Sequence, residues 1–349
     1  MKILQLGTSL TSWGGIERYV KILTGGLRDA GDSVLVACPK GSPLEKHIGT
    51  GIIQARTRGK FDLRTYAILR REMKQFGPEI VHLHYSPEFF VGAMAAKSVG
   101  SKVILTRHVA LRWAKPKAKI YSRLFDHIIP VSNAVQNQLE KSGIDPKKMT
   151  VAKAGNDPLE VTKTPEAMRK ELGIDFCQFN IGVFGRLAKE KGVQVAIDGV
   201  DLVPGTTLHI FGAGPEEASL EKHALGKPVV FHGLLENVGN AMNAVDAVLI
   251  PSVWEEALAY AALEALSLGK PIIAARVGGL PELILDGENG RLFKPGDPES
   301  LAKVLLELMA RPQDLVEMGR RGKALHDSTY TVKNMVQRIS AVYESLLGI

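Results

Sequence analysis

Several protein classes are excluded by what this chain lacks. Its 349 residues contain two cysteines, Cys38 and Cys177, each alone, with no CxxC and no histidine at ligand spacing. That pattern reads as two reduced structural thiols rather than a disulfide framework or a zinc module. No apolar run approaches the ~20 residues that a membrane-spanning helix requires. The opening Met1–Gly7 stretch is too short for the apolar region of a signal peptide. A cytoplasmic protein, or one peripheral on the inner face of the cytoplasmic membrane, is expected. No Asp-x-Asp pair is present to hold a divalent cation. Gly7, Gly14 and Gly15 do not have the GxGxxG spacing, and no Gly-Lys-Ser/Thr follows them. Both a dinucleotide-dependent dehydrogenase and a P-loop NTPase are therefore disfavoured.

What is present is an ordinary globular composition, 45% apolar and 23% charged. The length suggests two domains. The net charge of +7 is divided unevenly: residues 1–150 hold 24 Lys/Arg against 11 Asp/Glu, whereas the remainder holds 20 against 26. Such a split implies two domains with different partners, the basic one facing something anionic.

Short apolar runs alternate with amphipathic stretches throughout. Strands are expected at 2–6, 33–38, 79–83, 103–106, 127–130, 179–184, 207–211, 229–232, 247–250 and 271–274, and helices at 16–30, 62–76 and 332–347. Strand alternating with helix predicts parallel βαβ units. Pro158, Thr162, Thr164 and Pro165 interrupt the pattern, so we expect domains over 1–160 and 161–330, with 331–349 a helix packing back on the first.

Most strands end at a Gly, Pro or Ser turn, where ligands of open α/β sheets bind. Pro251 is followed by a loop carrying Glu255 and Glu256, then by a stretch of strong helix formers ending at Gly269. Glu264 lies eight residues after Glu256, a spacing suited to gripping an elongated ligand at two points, or merely to a solvated helix face. Phe184-Gly185-Arg186 precedes Lys191-Gly192: a forked donor set and a point charge, apt for a diphosphate or simply exposed. Phe211-Gly212-Ala213-Gly214-Pro215 and Phe231-His232-Gly233 are weak turn signals on their own. Gly14-Gly15 allow close backbone approach and free amides for an anion. His82 and His84 share one strand face but lack a third metal ligand. His108, at a strand end, is placed to orient a hydroxyl or to sit in the core.

In this order and spacing the motifs resemble the family 4 (group 1) glycosyltransferases, retaining enzymes of the GT-B fold, in which two Rossmann-like α/β domains with parallel sheets face each other across a cleft. The resemblance runs over nearly the whole chain and is strongest over 182–293. It implies a hexosyl-type transferase moving a sugar from a nucleoside-diphosphate-sugar, UDP-linked for instance, to a glycan or lipid-linked acceptor. Bacterial cell-envelope glycan assembly of the lipopolysaccharide type is the commonest setting. It further implies that Arg186 and Lys191 hold the diphosphate, that Glu256 faces the donor sugar, that Glu264 binds the ribose and that His108 lies near the donor sugar. Gly14, Gly15, Gly185, Gly212, Gly214, Pro215, His232, Leu258, Ala259 and Tyr260 would line the donor site. No cofactor or metal is implied: leaving-group phosphate would help deprotonate the acceptor in a same-face substitution.

The chain departs from the family pattern at two points. Glu256-Ala-Leu-Ala259 stands where Glu-x-Phe-Gly is usual, which puts donor-sugar geometry in question, and Ala154-Gly-Asn156-Asp157 rearranges the usual Asn-Gly-x-Asp. A nucleotide-sugar epimerase of the same fold and a non-catalytic nucleotide-sugar binder are the competing readings. The basic run Arg56–Lys74 and the basic–aromatic run Arg112–Arg123 match no nucleic-acid motif. They fit an anionic membrane surface or a phosphorylated acceptor, or a solvated basic face.

Overall fold

Runs of branched apolar residues bounded by turns form twelve strands: β1 (Lys2–Leu6), β2 (Ser33–Cys38), β3 (Ile52–Gln54), β4 (Ile80–Leu83), β5 (Lys102–Arg107), β6 (His127–Pro130), β7 (Phe179–Phe184), β8 (Thr206–Phe211), β9 (Val229–Gly233), β10 (Ala247–Ile250), β11 (Ile272–Ala275) and β12 (Gly290–Phe293). The computed structural model describes residues 1–349. It divides into two units, Met1–Gly155 with Thr331–Ile349, and Asn156–Tyr330. Every strand pair is parallel. The first sheet runs β3-β2-β1-β4-β5-β6 and the second β12-β11-β10-β7-β8-β9. Both are the doubly wound order, with helices on both faces, so central strands such as β4 and β10 are buried along their whole length.

Each sheet therefore has one point at which strand order reverses, between β1 and β4 in the first and between β7 and β10 in the second. Loops leaving neighbouring carboxyl ends there diverge and open a crevice. The sequence pattern did not disclose the edge strands β3 and β12, which have only three and four residues and carry too little apolar periodicity to stand out.

The helix Leu63–Phe76 shows why the periodic segments were readable. The Asp62 side chain accepts from the Thr65 amide at 3.0 Å, and Gly77 ends the helix in the left-handed region. The tail helix Val332–Leu347, capped by Thr331, lies within the first unit. Its Tyr343 is fully buried and its hydroxyl meets His82 Nδ1 at 2.6 Å, while His82 Nε2 meets Thr106 Oγ1 at 2.6 Å. The Gly155 amide lies 3.2 Å from the Met335 sulfur. No helix is long and apolar enough to cross a membrane.

Tyr343→Phe keeps the ring but strands His82 Nδ1 in the core. It should lower the urea-unfolding free energy by about 1–3 kcal/mol; an unchanged transition would show that this bond does not anchor the tail.

Candidate active site

The crevice of the second unit is built by loops in backbone contact. Leaving β7, the Gly185 amide donates to Phe211 O at 2.9 Å and the Leu187 amide to Ala213 O at 3.0 Å. Gly212 has φ +142°, and a Cβ there would stand 1.9 Å from the Gly185 carbonyl oxygen. Glycine is required at this position both by conformation and by space. Gly192, with φ +64°, similarly leaves no room: its Cβ would lie 2.1 Å from Pro251 O, so the loop after β7 is pressed on the loop after β10. The loop after β11 joins them where the Gly279 amide donates to Glu256 O at 2.6 Å. The space that a side chain would occupy at Gly212 or Gly214 is thus filled by the protein's own backbone.

This framework brings two expected site residues together. Lys191 Nζ lies 2.6 Å from Glu256 Oε1, and Ser252 Oγ donates to the same oxygen at 2.8 Å. Glu256 is only 14% exposed and Lys191 36%. Arg186 does not join them: its guanidinium is 65% exposed and pairs with Glu190 at 2.5 Å. Glu264 is buried in the helix Tyr260–Ser267. That helix begins at Tyr260, which places Glu264 about one turn in. Ala259 is its N-cap, with extended φ −103° and no side-chain cap. Alanine is therefore unstrained where the family pattern has glycine, and its methyl group offers the first-turn amides no acceptor. Ala259 is buried and Tyr260 and Leu258 are partly so.

His232 was a weak signal in sequence, and a bulge gives it definition. Ile210 pairs with Phe231 and Phe211 with Gly233, so His232 is the extra residue between them. Its ring stacks on Phe211 at 4.5 Å, which stacks on Phe184 at 4.6 Å. Asn180 Nδ2 donates to two carbonyls, Asp175 O and Gln178 O, which leaves Oδ1 to accept from His209 Nε2 at 3.0 Å. His209 Nδ1 then accepts from His232 Nε2 at 3.0 Å, so His232 presents Nδ1 as an acceptor.

At the corresponding ends of the first sheet, the Gly14-Gly15 loop lies beside an acid. The buried Glu17 carboxylate faces the amides of Gly14 and Glu17, and burial raises its pKa. His108 lies against buried neighbours. His84 Nε2 meets Gln5 Oε1 at 2.6 Å, and His84 Nδ1 meets His108 Nε2 at 3.3 Å. The nitrogens of His82 and His84 are thus taken by protein groups, and no three His, Cys, Asp or Glu residues are grouped to hold a metal ion. Burial pushes His82 and His108 down to about 3 and His84 well below the usual histidine range; the Arg107 charge adds to the effect at His108, and the rings disfavour one another's protonation. A residue not singled out in sequence, Glu88, ties the loops after β1 and β4 together. It is fully buried, accepts from Thr8 Oγ1 at 2.8 Å and the Ser9 amide at 3.1 Å, and is pushed up to about 7 by burial. Nothing in a single Ser-Pro-Glu turn announces that role.

The family models for Glycosyl transferases group 1 and Glycosyltransferase Family 4 match residues 178–311 and 13–158, one in each unit. The chain belongs to the family 4, group 1 glycosyltransferases. An uncharacterized glycosyltransferase of Methanocaldococcus jannaschii is 26% identical over 99% of both chains. The lipopolysaccharide core biosynthesis mannosyltransferase LpsB of Rhizobium meliloti is 26% identical over 66% of this chain and 68% of its own. Among solved structures, Anabaena HepE in complex with UDP superposes with a TM-score of 0.88 at 22% identity, covering 99% of this chain and all of that one. The lipopolysaccharide outer core galactosyltransferase WaaB superposes at 0.76 with 19% identity, over 99% of this chain and 100% of that one. The fold of this glycosyltransferase is GT-B.

Gly212→Ala in this glycosyltransferase meets fixed backbone and should destabilise by about 2–4 kcal/mol, combining strain with overpacking. Gly226→Ala, with φ +79° but open space, should lose only about 1 kcal/mol. Equal losses in chemical denaturation would show that the loop contact is slack. The buried histidines predict acid sensitivity. Their folded pKa values lie below the unfolded value near 6.5, so the unfolded chain binds more protons as pH falls through that value. Stability is retained above pH ~6.5 and should fall below it, towards the folded values, by up to about 1.4 kcal/mol per pH unit for each histidine. Unfolding free energies that stay flat between pH 7 and 5 would contradict their burial as neutral rings.

Proposed function

We propose that this glycosyltransferase takes its sugar from a nucleoside-diphosphate-sugar bound over the carboxyl ends of β7 and β10, and transfers it with retention to a glycan or lipid-linked acceptor. The observation that carries the reading is the Lys191–Glu256–Ser252 cluster at that switch point, beside a helix start with no side-chain cap. A diphosphate there meets the Lys191 ammonium and the amides before Glu264, where negative charge is favoured. Glu256, held by Ser252, accepts hydrogen bonds from sugar hydroxyls at the junction of sugar and phosphate. Arg186, paired with Glu190 at the surface, turns from it to the phosphate as charge develops there. Glu264 accepts from the ribose hydroxyls, and the stacked Phe184, Phe211 and His232 rings offer a platform beyond it.

These groups supply the charge stabilisation that a leaving nucleoside diphosphate needs. In this reading the reaction proceeds without a metal, and a phosphate oxygen takes the acceptor's proton. HepE was solved with UDP and with UDP-glucose, which makes uridine donors the first to test. LpsB and WaaB carry lipopolysaccharide names, which supports a cell-envelope glycan as product. The basic surface of the first unit suits peripheral contact with anionic lipid.

A calorimetric screen of nucleoside diphosphates and their sugars tests the donor. Glu264→Ala should weaken donor affinity by about 10–100-fold, and Arg186→Ala should slow turnover by about 10²–10³-fold. Unchanged affinity in the first, or unchanged turnover in the second, would refute this placement. Nucleotide release that occurs without acceptor would favour the epimerase reading instead.

A further inference from the structure

The first unit carries an open cleft of about 720 Å³ beyond the carboxyl ends of β2 and β3. That volume lies in the ~300–1,000 Å³ range of small-molecule sites. Its lining joins four exposed cations, Lys40, Arg56, Arg58 and Arg64, to the apolar side chains of Phe61 and Ile68.

Two acids stand by, and both are spent on neutral donors. Asp62, which also lines the cleft, caps the helix Leu63–Phe76 and accepts from the amides of Thr65 and Arg58, each at 3.0 Å. Glu45 accepts from the Gly41 amide and from Gln54 Nε2. Neither is ion-paired with any of the four cations. A concave wall of one sign, left unneutralised, concentrates positive potential where a ligand would enter.

The backbone that carries these groups is fixed. The Ala55 amide donates to Cys38 O and the Thr57 amide to Thr8 O, each at 3.0 Å, and the Thr65 hydroxyl donates to Arg56 O at 2.8 Å. Phe61, although 75% exposed, meets the Phe90 ring edge-on at 5.1 Å.

We propose that this cleft binds a sugar phosphate, the phosphorylated end of the acceptor. Guanidinium forks match phosphate oxygens in pairs, and a monoester brings up to two negative charges. The cleft is larger than a bare phosphate needs, and Phe61 and Ile68 offer an apolar surface to the C–H face of a sugar. β3 lies two strands from β1, about 10 Å across the sheet. A phosphate held there leaves room for the rest of the acceptor to reach the crevice between β1 and β4. Assigning the ligand to the acceptor rests on the donor's diphosphate being provided for in the second unit. The phosphate belongs either to a soluble acceptor or to a lipid.

The test is calorimetric titration of the full chain with glucose 6-phosphate, and with glucose, at constant ionic strength. The phosphate ester should bind and glucose should not. Replacing Arg56, Arg58 and Arg64 together by alanine should weaken binding at least about tenfold. A control replacing the exposed Lys21, Lys74 and Lys102 by alanine removes the same charge and should leave the affinity unchanged. No binding, equal binding in the arginine variant, or equal weakening in the control overturns the site. So does binding lost instead in Arg186→Ala with Lys191→Ala, which would put the sugar phosphate in the donor site. UDP affinity should be the same in the arginine variant as in the parent, so a failed donor reading is separately visible. Sedimentation with phosphatidylcholine vesicles containing phosphatidic acid distinguishes the sources. Vesicle binding lost in the arginine variant assigns the phosphate to a lipid. Vesicle binding absent or equal in both proteins, alongside the glucose 6-phosphate effect, assigns it to a soluble acceptor.

Discussion

Backbone pressed against backbone is the constraint on which the crevice of the second unit depends. The loops after β7, β8, β10 and β11 touch at positions where a Cβ would fall about 2 Å from a carbonyl oxygen, at Gly212 on Gly185, Gly214 on Leu187, Gly192 on Pro251 and Gly278 on Glu256. Such contacts cannot slide as side-chain packing can, because no rotamer is available to absorb the movement. They fix the spacing of Lys191 and Glu256, which lie 65 positions apart in sequence and 2.6 Å apart in space. A rigid frame supporting a few polar groups suits transition-state stabilisation, which depends on donors already in place when charge develops.

The pairing of Lys191 with Glu256 bears on how the charge is kept ready. Half-buried opposite charges at contact distance satisfy one another, and Ser252 secures the carboxylate from its other side. An anion arriving there replaces one partner of Lys191 by another rather than meeting a bare ammonium. Glu256 is then free to turn its lone pairs to hydroxyl groups. The Arg186–Glu190 pair is looser: it is mostly in water, contributes little and is readily given up. The tight pair is held by geometry on both sides, whereas the loose one is held mainly by a single exposed contact.

How much of this was legible in the sequence follows from the physics of each signal. The strand–helix alternation and the capped helices were readable because periodicity and caps are local. Short edge strands such as Ile52–Gln54 were not, because three residues carry no period. The individual glycine motifs were weak because the sequence does not show what opposes a glycine; Gly212 looks like any turn until Gly185 is seen against it. Gly14 likewise hides its surroundings: the sequence shows a glycine pair, and only the structure shows the buried Glu17 carboxylate, three residues on, facing the Gly14 amide. Glu88 and the Asn180–His209–His232 relay were illegible because their partners come from distant strands.

The two units share a strand order but not a way of handling charge. In the second, basic groups in and near the sheet find carboxylates: Arg169 with Asp246, Lys191 with Glu256, Arg276 with Asp286 and Arg291 with Glu307. In the first, Arg107 is buried without one, and its buried histidines remain neutral beside it. The imbalance of 24 basic against 11 acidic residues over 1–150 therefore extends beyond solvated surface into the carboxyl end of β5. Surface lysines are tolerated by water, but a buried guanidinium is not. The shared strand order fixes where the crevices lie. In the second unit an anion reaching Lys191 must compete with the resident Glu256 carboxylate, whereas in the first the buried carboxylates of Glu17 and Glu88 face the loop after β1 and the Arg107 guanidinium is left to a carbonyl and an aromatic ring.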